Sequence, residues 1–382
     1  MKKLLYGSTA LVTAGAFASG TAMAAEEAIK VTVGGYMNQF FTFGDVDNSP
    51  GDGSPSTDRN ATGFFSDGEI HFKGETTLDN GITFGFQVQL EAFGSSARGG
   101  TGDVIDEDYA YIRGSFGNIR AGSENSAAYL MHYAAPYVGA PINSGWVTTF
   151  IPDDGGAQTG GGGFRSPRLS TFLDFNNDEN VITYFTPRFS GFQLGATYAP
   201  TVSESGDGAN FPVEADKDTE FHNGFAVGVN FVESFSGVDV AVAGGYRFAE
   251  APNTPGAASN LPGKGDDLEQ FSTGVNLGWG GFTLGGSYAK EKSGRATDGD
   301  AWDVGLSYGT GPWAVGITYF QSEVTGSGTG DDEKQNANIG VSYAVGPGIT
   351  AAAGALWNDT ESSNSGGESD GIVGYVGLSY SF

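Results

Sequence analysis

The chain has 382 residues with 18 Lys and Arg against 45 Asp and Glu, a formal charge of −27, and it contains no cysteine. So large an acidic excess excludes nucleic acid and bare anionic headgroups as partners, because like charges repel. The lack of cysteine excludes a disulfide framework, a thiolate metal site and a cysteine nucleophile.

The first segment orders its residues as basic, apolar, then small-x-small. Lys2 and Lys3 precede an Ala-rich run from Leu4 to Ala18, followed by Ala22-Met23-Ala24. This reads as a secretory leader over 1–24, because the run is short for a membrane helix and is broken by Gly7, Gly15 and Gly20. Without Lys2 and Lys3, residues 25–382 carry 16 basic and 45 acidic groups, a charge of −29.

No other apolar run approaches the ~20 residues of a membrane helix, and a mean hydropathy of −0.21 alone would suit a water-soluble protein. Yet 64 glycines, 28 Phe, 16 Tyr and 5 Trp are unusual for one. Their spacing has period two. In ITFGFQVQLEA one face holds Ile82, Phe84, Phe86, Val88 and Leu90, and the other holds Thr83, Gly85, Gln87, Gln89 and Glu91. A short motif of aliphatic, Gly, x, small polar and Tyr recurs as LGATY (194–198), LGGSY (284–288), VGLSY (304–308), VGITY (315–319), IGVSY (339–343) and VGLSY (376–380). Alternation of this kind is a strand with two different faces and rejects helix for nearly all of the chain.

Applied along the sequence, the rule predicts strands over 28–44, 64–78, 82–93, 104–116, 118–124, 180–188, 192–200 and 221–233. It continues through 237–249, 267–279, 281–291, 299–309, 312–324, 333–345, 348–358 and 369–382, sixteen in all. Tight turns alternate with longer, polar, acidic loops. That parity, with aromatics six residues apart at the ends of apolar faces (Phe192 and Tyr198, Phe282 and Tyr288, Trp313 and Tyr319), describes an all-β, antiparallel, 16-stranded transmembrane barrel. A soluble sandwich or propeller would have to bury Gln87, Gln89, Asp239, Arg247, Asn276, Asp303, Asn336 and Asn338 in a packed core, at a cost of several kcal/mol for each group left without a partner.

A barrel this wide encloses water, so the expected function is passive diffusion of small hydrophilic solutes and ions. The third long loop, near 122–179, is too long for a simple connection and too rich in Tyr129, Leu130, Met131, Tyr133, Tyr137, Trp146 and Phe150 to stand in water. It is expected to fold into the barrel and constrict it.

At this point the chain resembles the general Gram-negative porins, the trimeric 16-stranded type. The resemblance rests on NVITYFTPRFSGFQLGATYA (180–199), SFGNIRAGSENS (115–126), the position of the third loop and the terminal Phe382. It implies an outer-membrane location reached through the periplasm, a homotrimer, contact with outer-membrane lipid and lipopolysaccharide, and loop carboxylates facing wall arginines across an eyelet. It also implies that Tyr380 and Phe382 serve as the signal read by the outer-membrane assembly machinery. Ser123 and Thr183 stand where the family carries arginine. The remaining wall candidates for the lumen are Lys73, Glu75, Arg113, Arg120 and Arg247. Candidates for the constriction are Glu124, Asp153, Asp154, Arg165, Arg168, Asp174 and Asp178. With two arginines missing and a charge of −29, a cation preference is expected.

Two alternatives remain from the residues. A substrate-specific channel for a sugar or anion would use a lumenal aromatic track, beginning with Tyr111 and Phe320. A barrel enzyme or adhesive scaffold would need paired catalytic residues or a passenger domain, and no such constellation is present in the sequence. His71, His132 and His222 lack metal spacing, and no cofactor is expected. The acidic stretches DVDNSPGDGS (45–54) and GKGDDLE (263–269) offer oxygen donors of the kind calcium takes, but without the twelve-residue spacing of a calcium loop. They read first as a solvated rim, with structural Ca²⁺ as the alternative.

Overall fold

The computed structural model describes residues 28–49, 61–92, 105–143, 169–173, 179–202, 216–218, 220–253, 267–292, 298–325, 331–362 and 366–382. Sixteen antiparallel strands close into one barrel in which each pairs with its chain neighbours and β16 returns to β1. They are β1 Lys30–Ser49, β2 Thr62–Thr77, β3 Thr83–Glu91, β4 Ile105–Gly114, β5 Gly117–Ser123, β6 Asn180–Phe185, β7 Phe192–Thr201 and β8 His222–Phe235. The second half is β9 Val238–Glu250, β10 Leu268–Trp279, β11 Phe282–Lys292, β12 Gly299–Thr310, β13 Trp313–Thr325, β14 Asp331–Gly346, β15 Ile349–Ser362 and β16 Gly367–Ser381. One helical turn, α1 (Ala127–Leu130), follows β5 and is capped by Ser126, whose side chain accepts from the Tyr129 N–H.

The sixteen strands lie where the alternation places them, and the differences are at their ends. β6 stops at Phe185, three residues short of the expected 188, because Pro187 has no N–H to add to the ladder. β1 runs on to Ser49, beyond the expected 44, because β16 pairs with it along the whole extension. At the seam, Gly35 and Phe382 exchange two backbone hydrogen bonds, Gly35 N–H to Phe382 O at 3.0 Å and Phe382 N–H to Gly35 O at 3.1 Å. Closure is therefore complete to the last residue.

The outward face is apolar and uncovered. Ile317, Ile339 and Ile372 are 55%, 60% and 59% exposed, a density of open aliphatics that water does not tolerate and lipid requires. Aromatics bound this band on both sides. At the short-turn end Phe282 meets Tyr308 at 4.4 Å between ring centroids and Trp313 meets Tyr343 at 4.6 Å. At the long-loop end Tyr198 meets Phe225 at 5.0 Å and Trp302 meets Tyr319 at 5.2 Å. Apolar burial instead lies between the third loop and the inner wall, where Ala140 and Ile142 pack with Phe40, Phe65, Phe320, Leu356 and Tyr375.

Above the upper aromatics the outward positions turn acidic in register. Asp300 stands opposite Glu323, Glu323 opposite Glu333, Glu333 opposite Glu361, and Glu361 opposite Glu368. Directly opposed like charges destabilise a sheet by roughly 0.2–1 kcal/mol per pair. Glu333→Gln is therefore expected to raise the thermal unfolding temperature of the barrel in detergent, with the gain shrinking as salt screens the row. An unchanged or lower temperature at low salt would contradict this account of the row.

Candidate functional site: the inner wall and the infolded loop

The inward face of each strand carries the other half of the alternation, and along most of the barrel the third loop lies on it. Ala127 N–H donates to Thr197 Oγ1 of β7 at 2.8 Å, and Thr197 in turn meets Thr183 of β6 at 2.8 Å. From β8 Asn230 reaches Met131 O at 3.4 Å, and from β10 Asn276 reaches Ala134 O at 3.1 Å. Asp303 of β12 accepts from Ala135 N–H at 3.0 Å, while Thr318 of β13 donates to Pro136 O at 2.8 Å. Asn338 of β14 donates to Val138 O at 2.9 Å, and Tyr375 of β16 accepts from Ala140 N–H at 3.0 Å. An irregular backbone inside a membrane barrel needs such partners, because unsatisfied N–H and C=O groups are costly there. The wall supplies them strand by strand.

Glycines make this approach possible. In the recurring motif the Gly is an inward position, and a Cβ built at Gly195 would sit 2.8 Å from Met131 Sδ, one at Gly316 2.9 Å from Val138 Cγ2. At Gly274, Gly305 and Gly340 the Cβ would run into the backbone carbonyl oxygens of Tyr133, Pro136 and Val138. The loop therefore rests on the backbone of the wall.

A second layer holds the returning limb. Asn143 donates to Asp303 Oδ2 and to Thr171 Oγ1, both at 2.6 Å, and Thr171 meets Ser287 of β11 at 2.6 Å. His132 joins this group through Nε2 and Thr171 Oγ1 at 3.2 Å and packs edge-on to Phe172. Burial pushes the His132 imidazole down to about 4.

The described part of the loop thus lies along the wall from β6 round to β16 and reaches Phe40 of β1 and Phe65 of β2, while the charged inward positions of β1–β5 line the passage. Lys73, Glu75 and Arg113 meet there near the short-turn end, with Glu75 Oε2 at 3.2 Å from Lys73 and 3.0 Å from Arg113, and Tyr111 donating to it at 2.7 Å. Further along the same wall, Tyr36 donates to Glu69 at 2.7 Å, His71 pairs with Glu69 at 2.7 Å, and Asn125 donates to Glu107 at 3.1 Å. Oxygens of Glu69, Glu91 and Asp106 all lie within 4.8 Å of one another.

Several expected site residues sit elsewhere. Arg120 faces inward and pairs with Glu124 at 2.5 Å, but Glu124 is buried at the neck of the loop, where desolvation raises its carboxyl pKa against the pull of Arg120. Arg247 also faces inward, yet it is only 2% exposed, pressed under the loop against Glu179 at 2.7 Å, and is not a lumenal charge. Thr183 is likewise covered, at 0% exposure, as a docking group. Ser123 pairs opposite Asp108 on the parity of Ile119 and Ala121, so period two turns it outward and not to the lumen. Phe320 is inward but covered by the loop. Tyr380 and Phe382 lie on the outward face with Val376 and Leu378, and Phe382 is exposed. Asp153, Asp154, Arg165, Arg168, Asp174 and Asp178 lie outside the described residues, as do 50–54, 263–266 and the whole of 1–24.

Sequence reading missed Thr197, Thr318 and Tyr375 as loop partners. It noted the polar inward parity of Asn276, Asp303 and Asn338 but assigned those groups to water. The available signal was a glycine two residues from an inward Ser, Thr or Asn on one strand after another.

A closed sixteen-stranded barrel with an apolar outside, a polar inside and a loop folded into its lumen is an outer-membrane pore. The family model for Gram-negative porins matches residues 7–365, and the chain belongs to that family. Among solved structures it is similar to an anion-selective porin from Comamonas acidovorans, 15% identical with TM-score 0.60, covering 93% of this chain and 100% of that one. OmpT of Vibrio cholerae in its trimer form is 15% identical with TM-score 0.58, covering 93% and 100%. A porin structure refined at 1.8 Å is 18% identical with TM-score 0.57, covering 92% and 100%. No curated protein matches the sequence. Family and fold make the protein an outer-membrane channel for small solutes and point away from an enzyme.

Two outcomes are expected from this geometry. Gly340→Ala places a methyl group on the Val138 carbonyl, so the loop must move toward the lumen and the unit conductance should fall, whereas Ile339→Val on the outward face should leave it unchanged. Equal conductance in a folded Gly340→Ala barrel would refute the close approach. For His132 the folded pKa lies below the unfolded value of 6.5, so docking is fully stable above 6.5 and weakens as the pH falls toward about 4. Hydrogen-exchange protection factors of residues 127–143, corrected for the intrinsic pH dependence of exchange, should fall over that window in the native channel and less so in His132→Gln; identical pH profiles would exclude the histidine.

Proposed function

We propose that this porin is a weakly selective, cation-preferring diffusion channel that works as a homotrimer. The observation that carries the preference is the composition of the wall on β1–β5. Its inward described residues include Asp67, Glu69, Glu75, Glu91 and Glu107 against the fixed cations Lys30, Lys73, Arg113 and Arg120, the last of which is already paired with Glu124. A low-dielectric channel lined by one excess sign concentrates counter-ions. Thr183, at a position where the family resemblance leads one to expect arginine, adds no positive charge.

Trimerisation is supported by the height of the wall. β5 has 7 residues and β6 has 6, against 16 in β14. At about 3.3 Å per residue and the usual tilt, 6 or 7 residues rise roughly 15–18 Å, short of an apolar band about 25 Å tall. Neighbouring copies packed on this low side would cover it, and OmpT of Vibrio cholerae is a solved relative in trimer form. Export behind the leader at 1–24, with Tyr380 and Phe382 serving as the assembly signal, completes the reading.

A substrate-specific channel has less support. Phe320 lies under the loop, and Tyr111 is 6% exposed with its hydroxyl committed to Glu75, so these two offer no aromatic track. Reversal potentials across planar bilayers in a KCl gradient test the preference. A cation-selective potential that shrinks in Glu69→Gln is expected, and anion selectivity in the native channel would overturn it.

A further inference from the structure

We infer that Arg247 is a positioning residue whose job is to clasp the neck of the infolded loop, and that the clasp, more than its charge in the lumen, is what it contributes to conduction. The inference rests on the channel reading above and adds to it the element that keeps the loop flat on the wall.

The geometry joins five residues, two on the separate strands β5 and β9 and three on the loop between β5 and β6. Arg247 projects inward near the long-loop end of β9, since Tyr246 and Phe248 on either side point outward. One guanidinium nitrogen donates to Leu173 O at 2.5 Å and the other to Glu179 Oε1 at 2.7 Å. Leu173, at 0% exposure, is the last described residue of the returning limb and packs with Ala128, Ala226 and Ala289. Glu179, at 1% exposure, is the last residue before β6. Its backbone carbonyl in turn accepts from Glu124 N–H at 3.3 Å, and Glu124 pairs with Arg120 on β5. One planar fork therefore grips the end of the loop and its returning limb, while the end of the loop grips the start. β9 lies three strands round from β6, so the clasp spans the part of the wall on which α1 sits.

Burial makes the clasp sensitive to loss of either partner. Arg247, Glu179 and Glu124 are 2%, 1% and 2% exposed, and a charge left behind in such a place has no water to stabilise it. A buried charge that has lost this counter-charge draws water in or moves out, and either response lifts the limb from the wall. Arginine suits the role because its two outer nitrogens satisfy a carbonyl and a carboxylate at once, which lysine does not reproduce.

The test uses single-channel recording of the full-length channel in KCl, with heat-modifiable migration on gels to confirm folding. Arg247→Met and Glu179→Gln remove opposite charges. The clasp predicts the same phenotype from both: open-level noise and subconductance flicker rising several-fold, with the reversal potential near that of the native channel. The double variant should be quieter than either single variant, since the two opposite charges are removed together, and Arg247→Lys should be intermediate. A lumenal role for the charges predicts instead opposite shifts of reversal potential with quiet open levels, and that result would overturn the clasp. Quiet currents with unshifted potentials in folded single variants would overturn it too. If either single variant does not fold, the double variant decides: folded, quiet channels support the clasp, and a noisy double variant refutes it. A native protein that gives no conductance steps at all would defeat the channel reading itself, a separate failure.

Discussion

In a hydrocarbon layer a backbone N–H or C=O has no water to turn to, and each one left unpaired costs several kcal/mol. Closure of the sheet follows from that requirement. The bonds between Gly35 and Phe382 are the point at which it is met, because β1 and β16 would otherwise be two open edges in lipid. Once the cylinder is closed, each strand must be apolar outside, while the inside is free to be polar. Ile317 and Ile339 on one face and Thr318 and Asn338 on the other express a single alternation resolved by a single constraint.

The same requirement governs the loop. The described loop residues 124–143 and 169–173 lie inside the barrel and form no ladder, and their backbone groups need partners as much as any strand does. The partners are the inward polar side chains of the wall: Thr197, Asn230, Asn276, Asp303, Thr318, Asn338 and Tyr375. Glycine beside them admits the loop backbone to hydrogen-bonding range. The recurring aliphatic-Gly-x-small-Tyr motif thus combines three functions in five residues: a lipid contact, a seat for the loop at most of its repeats, and an aromatic at the membrane boundary.

What remains open to solute is set by where the loop does not lie. The wall of β1–β5 keeps its own charges, with Glu75 balanced by Lys73 and Arg113, and Glu69, Glu91 and Asp106 gathered further along. Two ion pairs at the neck, the half-buried Arg120 with the buried Glu124 and the fully buried Arg247 with Glu179, separate this lining from the covered wall. Charges that look equivalent in the sequence therefore divide into those that face ions and those that hold the loop.

Strand number, the two faces and the infolding of the third loop were legible in the sequence, because period two, the parity of short turns and long loops, and the apolar content of 122–179 are all local. The end of β6 at Phe185 was less so: Pro187 was visible, but its effect depended on the neighbouring ladder. The inward parity of Arg247 and of Thr183 was equally readable. That both lie beneath the loop was not, since burial depends on a segment whose partners are up to 237 residues away in the chain, as between Val138 and Tyr375. Ser123 shows the converse, a position set by strand parity that a family comparison alone would turn to the wrong face. By itself the sequence determined that this chain builds a closed barrel around water. Only the tertiary structure decided which inward groups meet that water, because that depends on the path of the loop across the wall.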